Sequence, residues 1–420
     1  MKLKLVIVIL YLAPLFSPGQ SKEITTAQYQ QDFNFFWTSI AEEYCYFHEK
    51  QTDWLKVKEN YLPVIDTIKN TNTFIAVLER VLYEIYDHHA SLNTNTSNSQ
   101  RLVPSGADIW AEYINGKAIV TEIRKNYGAD AVGIFAGMEV VSVNDIPVQI
   151  AMEPFMSNSV SASDNEAKGY ALRLLLAGNH IQPRKIALKY NEITKDYYPD
   201  KSGFLTEHIK YNAKIETKLI NGIGYIKIND CLYNNELITE FDSVMQVFRN
   251  TISLILDFRE TPGGGNTSVA KAILGWFIDK DHFYQKHEYY AEEKSTGIKR
   301  SWVEIVSSRG DKYYSKPIAI LCNHWTGSIA EGIVIGFDAL KRPDTKIIGT
   351  EMARLRGAVY TFEMPNSKIR FSIPTERLYH INGTPREQYI PPVFIDWRKG
   401  ELKAGSDVFM EQALQFLKNR

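Results

Sequence analysis

Ser328 stands where a serine can act on a carbonyl. The segment "NHWTGSIAEG", residues 323–332, places it between an apolar strand, "PIAILC", and a helix, "SIAEGIVIGFDALKR". Two uses compete there. Ser328 and Glu331 fit the S-x-x-E capping box, and capping is the commoner use of a serine at a helix start. The same position also sets a hydroxyl beside unpaired backbone N–H groups that can hold an oxyanion, with the Ile329 amide as natural donor. A nucleophile needs a base. His88 and His89 follow a helical stretch in "YEIYDHHASL", and His324 lies close to Ser328 in the chain. Read locally, the pair is solvated surface with poor metal-binding geometry, and His324 packs or caps. Glu387, in "INGTPREQYIPPVFID", reads alone as a surface carboxylate beside Arg386. Pro262 and Gly263–Gly265 follow the buried strand "LILDFRE", where glycines permit close backbone approach to something bound. Neither phosphate-loop frame, G-x-x-x-x-G-K or G-x-G-x-x-G, is present there.

These residues need three kinds of scaffold. Large apolar residues recur at three and four between Gln28 and Tyr86, which predicts amphipathic helices ending at Asp87. From about Gly106 to Asp200 short strands alternate with a short helix, and "VND" (143–145) is a tight turn. That predicts a compact β-rich binding module. From about Lys214 onward apolar strands alternate with helices, the pattern of an α/β unit whose strands are buried on both faces. The tail predicts a closing helix capped by Ser406.

Composition narrows the partners. A chain of 420 residues is long enough for two or three domains, and its 44% hydrophobic and 23% charged residues are those of a globular protein. The formal charge is −1 and no long basic block occurs, so nucleic acid is not an expected partner. Lys2 and Lys4 precede a short apolar run, Leu5 to Phe16, then Ser17 and Gly19. This predicts a signal peptide over residues 1–19 with Gln20 as mature start, since the run is short of the ~20 residues a spanning helix needs. Export to the periplasm or extracellular space is expected, with no stable membrane span. Cys45, Cys231 and Cys322 are too few and too scattered for a disulfide framework, and no Cys/His spacing suggests zinc.

Taken together the segments resemble the tail-specific, or C-terminal-processing, serine peptidase family. "GIGYIKIND … LILDFRETPGG" is similar to its strand, helix and D-L-R-G-N-x-G-G turn. "PIAILCNHWTGSIAEG" is similar to its nucleophile segment with S-A-A-E, and "TKIIGTE" to its V-I-G-E strand. "GTPREQYIPPVFID" is similar to its E-x-x-G-V-x-P-D segment, and "AIVTEI … AVGIFAGMEVVSVNDIPV" to its PDZ domain. The departures are "ETPGG" for G-N-x-G-G, "IPP" for G-V-x-P, and His88 where related proteins carry a serine. Where one branch of the family carries its catalytic lysine, "TEMARLRGAVY" offers Arg354 and Arg356, which stay protonated at any working pH.

The resemblance therefore implies the Ser/His/Glu arrangement of the tricorn core: Ser328 as nucleophile, His89 as base and Glu387 orienting it, with Gly264 and Ile329 amides as oxyanion hole. It implies a multidomain α+β fold. A helical N-terminal region covers 20–100, a PDZ-like β-rich domain 105–200, and an α/β catalytic domain of the ClpP/crotonase type 205–420. It implies an endopeptidase acting on unfolded or flexible polypeptides near their C-termini, with no metal or cofactor and with oligomeric state open. A peptide- or lipophilic-ligand-binding protein on the same fold is the alternative. The nearby glutamate should raise the His89 pKa and give an activity that rises through an ionisation near neutrality.

Overall fold

The computed structural model describes residues 24–160, 163–203, 211, 213–402 and 405–418. The signal peptide expected over 1–19 lies outside them. Three N-terminal helices, Thr26–Glu43, Trp54–Ile65 and Thr71–Tyr83, start at side chains suited to the task. Thr25 and Gln28 form a capping box, and Asp53 and Asn70 accept the first free amides of the next two. Tyr29, Phe33, Phe36 and Ile40 line one buried stripe of the first helix. The helices bury this surface against Phe371 and Ile373 of the distant strand Arg370–Tyr379, with Phe36 edge-on to Phe371 at 4.7 Å between ring centres. Residues 29–92 thus share a core with residues 364–373.

The β-rich module is an antiparallel sheet in the order Ile109–Ile114, Lys117–Ile123, Glu139–Val143, Ile186–Tyr190, Ile193–Tyr197, with Ile146–Pro147 beside the third strand. Asn144 and Asp145 both take positive φ, 51° and 65°, which makes "VND" the tight turn its residue types predict. Helix Asn165–Ala177 covers the sheet with Ala171, Leu172 and Leu176 in a core of the module's own.

The α/β unit is built on a six-stranded sheet in the order Val393–Phe394, Thr345–Gly349, Ile318–Cys322, Ser253–Glu260, Ile223–Asn229, Ile215–Ile220. Only the last pair is antiparallel. Helices Glu236–Phe248, Thr267–Leu274 and Ile329–Ala339 cover one face and Val408–Lys418 the other. Asp407, not Ser406, caps that last helix, accepting the Met410 amide at 3.2 Å. A carboxylate one residue nearer the helix takes the role.

Strand–helix alternation does not anticipate a third, antiparallel sheet. It contains Ser91–Leu92, Arg370–Tyr379, His282–Tyr289, Arg300–Val306 and Ala358–Glu363. Several of its strands are half exposed, so they lack the apolar runs that mark the central sheet. Helix Ile329–Ala339 lies between this sheet and the central one, and of its residues only Asp338 is not buried. The three cysteines are buried and free, and no helix among the described residues is long and apolar enough to cross a membrane.

Candidate active site

Two parallel strands end side by side and aim their loops at one place. After Ser253–Glu260, Thr261 bridges to Thr326, which follows Ile318–Cys322. The Gly327 amide donates to the Thr261 carbonyl at 3.1 Å, and the hydroxyls of Thr261 and Thr326 both donate to the Phe258 carbonyl. The loops touch so closely that side chains would not fit. A Cβ on Gly327 would meet the Pro262 carbonyl at 2.8 Å, and one on Gly265 would meet Ile329 at 2.2 Å. Gly264 faces open space, and its amide, like that of Ile329, has no hydrogen-bond partner among the described residues. Two free donors therefore flank the start of the helix.

Ser328 is the turn between strand and helix. Its φ of 55° and ψ of −115° lie where L-residues are strained, a conformation that pushes the side chain out of the turn. Glu331 restrains it. One carboxylate oxygen accepts the Ser328 amide at 2.8 Å and the other the Arg354 amide at 3.0 Å. Burial raises the Glu331 carboxyl to a pKa of about 7, against the pull of Arg386 at 3.8 Å.

The Ser328 hydroxyl lies 3.1 Å from Nε2 of His89, a residue 239 positions earlier. Nδ1 of His89 is 2.6 Å from the Arg356 carbonyl. A carbonyl only accepts, so Nδ1 carries the hydrogen and Nε2 presents a lone pair to Ser328. Asp87 fixes the backbone here. Its Oδ1 accepts the His89 amide at 2.9 Å and its Oδ2 the Tyr44 hydroxyl at 2.7 Å. Burial, then the Arg386 guanidinium, push the His89 pKa down to about 4; the Arg356 carbonyl and Asp87 oppose the shift only in part. The expected rise above the ordinary histidine value is thus reversed, because burial outweighs the neighbouring acids.

Glu387 is buried, with 5% of its surface exposed, in the turn Arg386–Gln388, so the local reading as surface carboxylate fails. It makes no hydrogen bond to His89, whose Nδ1 is taken by the Arg356 carbonyl. The Glu387 Oε2 has no partner among the described residues. Burial raises its pKa, with Arg356 and Arg386 opposing. The other histidines face elsewhere. His88 accepts from Arg173 at 3.0 Å and stacks on Tyr170. His324 binds Glu122 at 2.5 Å and stacks on Trp110. Among the described residues no three His, Cys, Asp or Glu side chains gather as metal ligands.

The profile described as Peptidase family S41 matches residues 222–393, the segment that carries Ser328 and Glu387. Residues 222–393 thus carry an S41 peptidase segment, and the protein is a serine peptidase. A second profile, the Tricorn protease C1 domain, matches residues 25–82. No curated protein matches the sequence. Among solved structures, mature CPAF is 16% identical over 94% of this chain and 98% of its own, with a TM-score of 0.61. The photosystem II D1 C-terminal processing protease is 16% identical over 88% and 93%, with a TM-score of 0.55. A putative peptidase from Parabacteroides merdae is 15% identical over 93% and 96%, with a TM-score of 0.56. At such identities the likeness concerns the fold.

Three residues that shape the site of this serine peptidase are not marked as such by their type. Glu331 was legible only as half of a capping box, yet it ties the serine turn to the loop of Arg354. Arg356 counted only as a missing lysine, yet its carbonyl holds His89. Asp87 marks only a helix end by type, yet it accepts the His89 amide. A backbone carbonyl leaves no signal in residue type, so the Arg356 contact had none to find.

Proposed function

We propose that this peptidase cleaves flexible polypeptides through an acyl-enzyme, with Ser328 as nucleophile and His89 as base. The observation that carries the reading is the 3.1 Å approach of Ser328 Oγ to a histidine nitrogen free to accept. Ser328 Oγ attacks the substrate carbonyl carbon as its proton passes to His89 Nε2. The Gly264 and Ile329 amides hold the oxyanion. His89 then gives the proton to the departing amine as the C–N bond breaks, and water, deprotonated in turn by His89, hydrolyses the ester. The Arg356 carbonyl does the orienting that a carboxylate does in other triads. Asp87 is the acid that favours the imidazolium most directly, and Glu387, in the buried cluster with Arg356 and Arg386, adds negative charge nearby. The test is labelling with a fluorophosphonate followed by peptide mapping. Modification at Ser328, and loss of both labelling and peptide cleavage in Ser328→Ala, are expected; an active Ser328→Ala would overturn the reading.

The finer parts of the proposal have separate supports. Export rests on residues 1–19, and secreted material whose N-terminus is Gln20 is the expected outcome. The β-rich module is proposed as a PDZ-like reader of substrate C-termini, supported by its edge strand Ile109–Ile114, to which a peptide strand could add. Amidating a substrate's C-terminus should then slow its cleavage; equal rates would sink the idea. Just before that edge strand the backbone is engaged internally, with Trp325 donating to the Ala107 carbonyl at 2.8 Å. A peptide reaching that carbonyl must displace a side chain three residues from Ser328.

A further inference from the structure

The carbonyl that holds His89 belongs to a residue whose side chain is clamped from two other parts of the molecule. The Arg356 guanidinium donates to both oxygens of Glu166, Nη1 to Oε1 at 2.7 Å and Nη2 to Oε2 at 3.1 Å. From another side it reaches Glu49, with Nε at 3.2 Å and Nη2 at 3.0 Å from the same oxygen. Lys50, whose side chain is fully buried, places Nζ 2.7 Å from Glu166 and over the Tyr86 ring at 4.1 Å. The cluster holds two cations and two carboxylates, and each carboxylate comes from a different region. Glu49 is in the N-terminal helical region. Glu166 is the second residue of helix Asn165–Ala177, which packs into the core of the β-rich module.

We infer that Arg356 is a positioning residue for His89, and that Glu166 is the contact through which the β-rich module sets the proton-accepting geometry of the site. The inference rests on the catalytic reading above and extends it. A planar guanidinium bonded on two edges has little freedom to rotate, and its backbone carbonyl is 2.6 Å from Nδ1. Removing the Glu166 charge leaves buried Lys50 and Arg356 with Glu49 and, without a direct bond, Asp87 as compensating acids, and the two cations repel more strongly. The Arg356 backbone shifts, the Nδ1 hydrogen bond lengthens, and the imidazole loses its aim at Ser328. A displacement of the module relative to the α/β unit acts on the same ion pair.

The test uses the full-length protein and a small fluorophosphonate, whose reaction reports on Ser328 and His89 without engaging a polypeptide site. Glu166→Gln and Arg356→Met should each label about tenfold more slowly. In peptide cleavage kcat should fall by a similar factor with KM nearly unchanged. Arg356→Lys, which keeps a charge for Glu166, should recover part of the rate. The double variant Glu166→Gln/Arg356→Met should label no more slowly than Arg356→Met alone, since both act through one contact. Far-UV circular dichroism and thermal melting select the folded variants; Glu166→Gln, nearly isosteric, serves if Arg356→Met unfolds. A wild-type labelling rate in folded Glu166→Gln overturns the inference. If His89→Ala labels at the wild-type rate, the catalytic reading itself has failed.

Discussion

His324 and His89 are two histidines near one serine, and they divide what a triad needs. His324 is four residues from Ser328 and has a carboxylate partner, Glu122, on its Nδ1 at 2.5 Å. His89 is 239 residues away, holds a backbone carbonyl instead, and is the one whose Nε2 meets the serine at 3.1 Å. The His324–Glu122 pair is therefore a buried brace between the loop before Ser328 and strand Lys117–Ile123 of the β-rich module. Thr350 completes it with a hydrogen bond to Glu122 at 2.8 Å. A carboxylate on a histidine is a poor guide to catalysis. The free nitrogen and what it faces decide the role.

The contrast breaks most directly by removing each ring in turn. His89→Ala should lower kcat/KM by roughly 10⁴-fold, the scale on which triads lose their base. His324→Ala should cost less than about tenfold in rate. It should instead lower stability by about 1–3 kcal/mol, because the buried Glu122 loses a donor. Peptide cleavage and chemical denaturation on the same preparations check both. Equal rate losses would erase the distinction.

Glu387→Gln probes what a carboxylate contributes when it does not touch the ring. A fall in kcat of about 10–100-fold is expected, since electrostatic support of the imidazolium is lost while the Arg356 carbonyl still orients it. A loss as large as that of His89→Ala would mean that Glu387 contacts the ring during turnover.

The pH dependence sharpens the assignment of His89. The base must be neutral to act, so kcat/KM should rise with pH through about 4 and be level by pH 6. At pH 5.5 a histidine of ordinary pKa would leave about a tenth of the plateau rate; here nearly all of it should remain. A midpoint near 6.5 would show that the burial around His89 is relieved in solution.

The smallest effect concerns the serine turn. With φ at 55°, Ser328 is strained in a way glycine is not. Ser328→Gly should be more stable than Ser328→Ala by about 1 kcal/mol, with both inactive. Identical melting temperatures would mean that the turn relaxes when the hydroxyl is removed.

Much of this arrangement was legible from residue types. Apolar strands at 253–260 and 318–322, the glycines after the first and the serine after the second follow from local pattern. So do the helical stripe of Tyr29, Phe33, Phe36 and Ile40 and the turn at Asn144–Asp145. The antiparallel sheet through 282–306 and 358–379 was not legible, because its strands Arg300–Val306 and Ala358–Glu363 are half exposed and show no buried run. The motif resemblance selects His89, Glu387 and Gly264 as candidates, and the free amides of a helix start select Ile329. Neither signal says which of them touch.

By itself the sequence determined the order of elements, the strand-end serine, the close-packed glycines and the lack of a lysine beside them. Only the tertiary structure decided which histidine the serine faces, that a backbone carbonyl holds that histidine, and that burial lowers its pKa. The physical reason is range. Propensity, capping and turn chemistry act over a few residues and are written in residue type. The aim of an imidazole depends on groups hundreds of residues apart, including a peptide carbonyl that every residue carries.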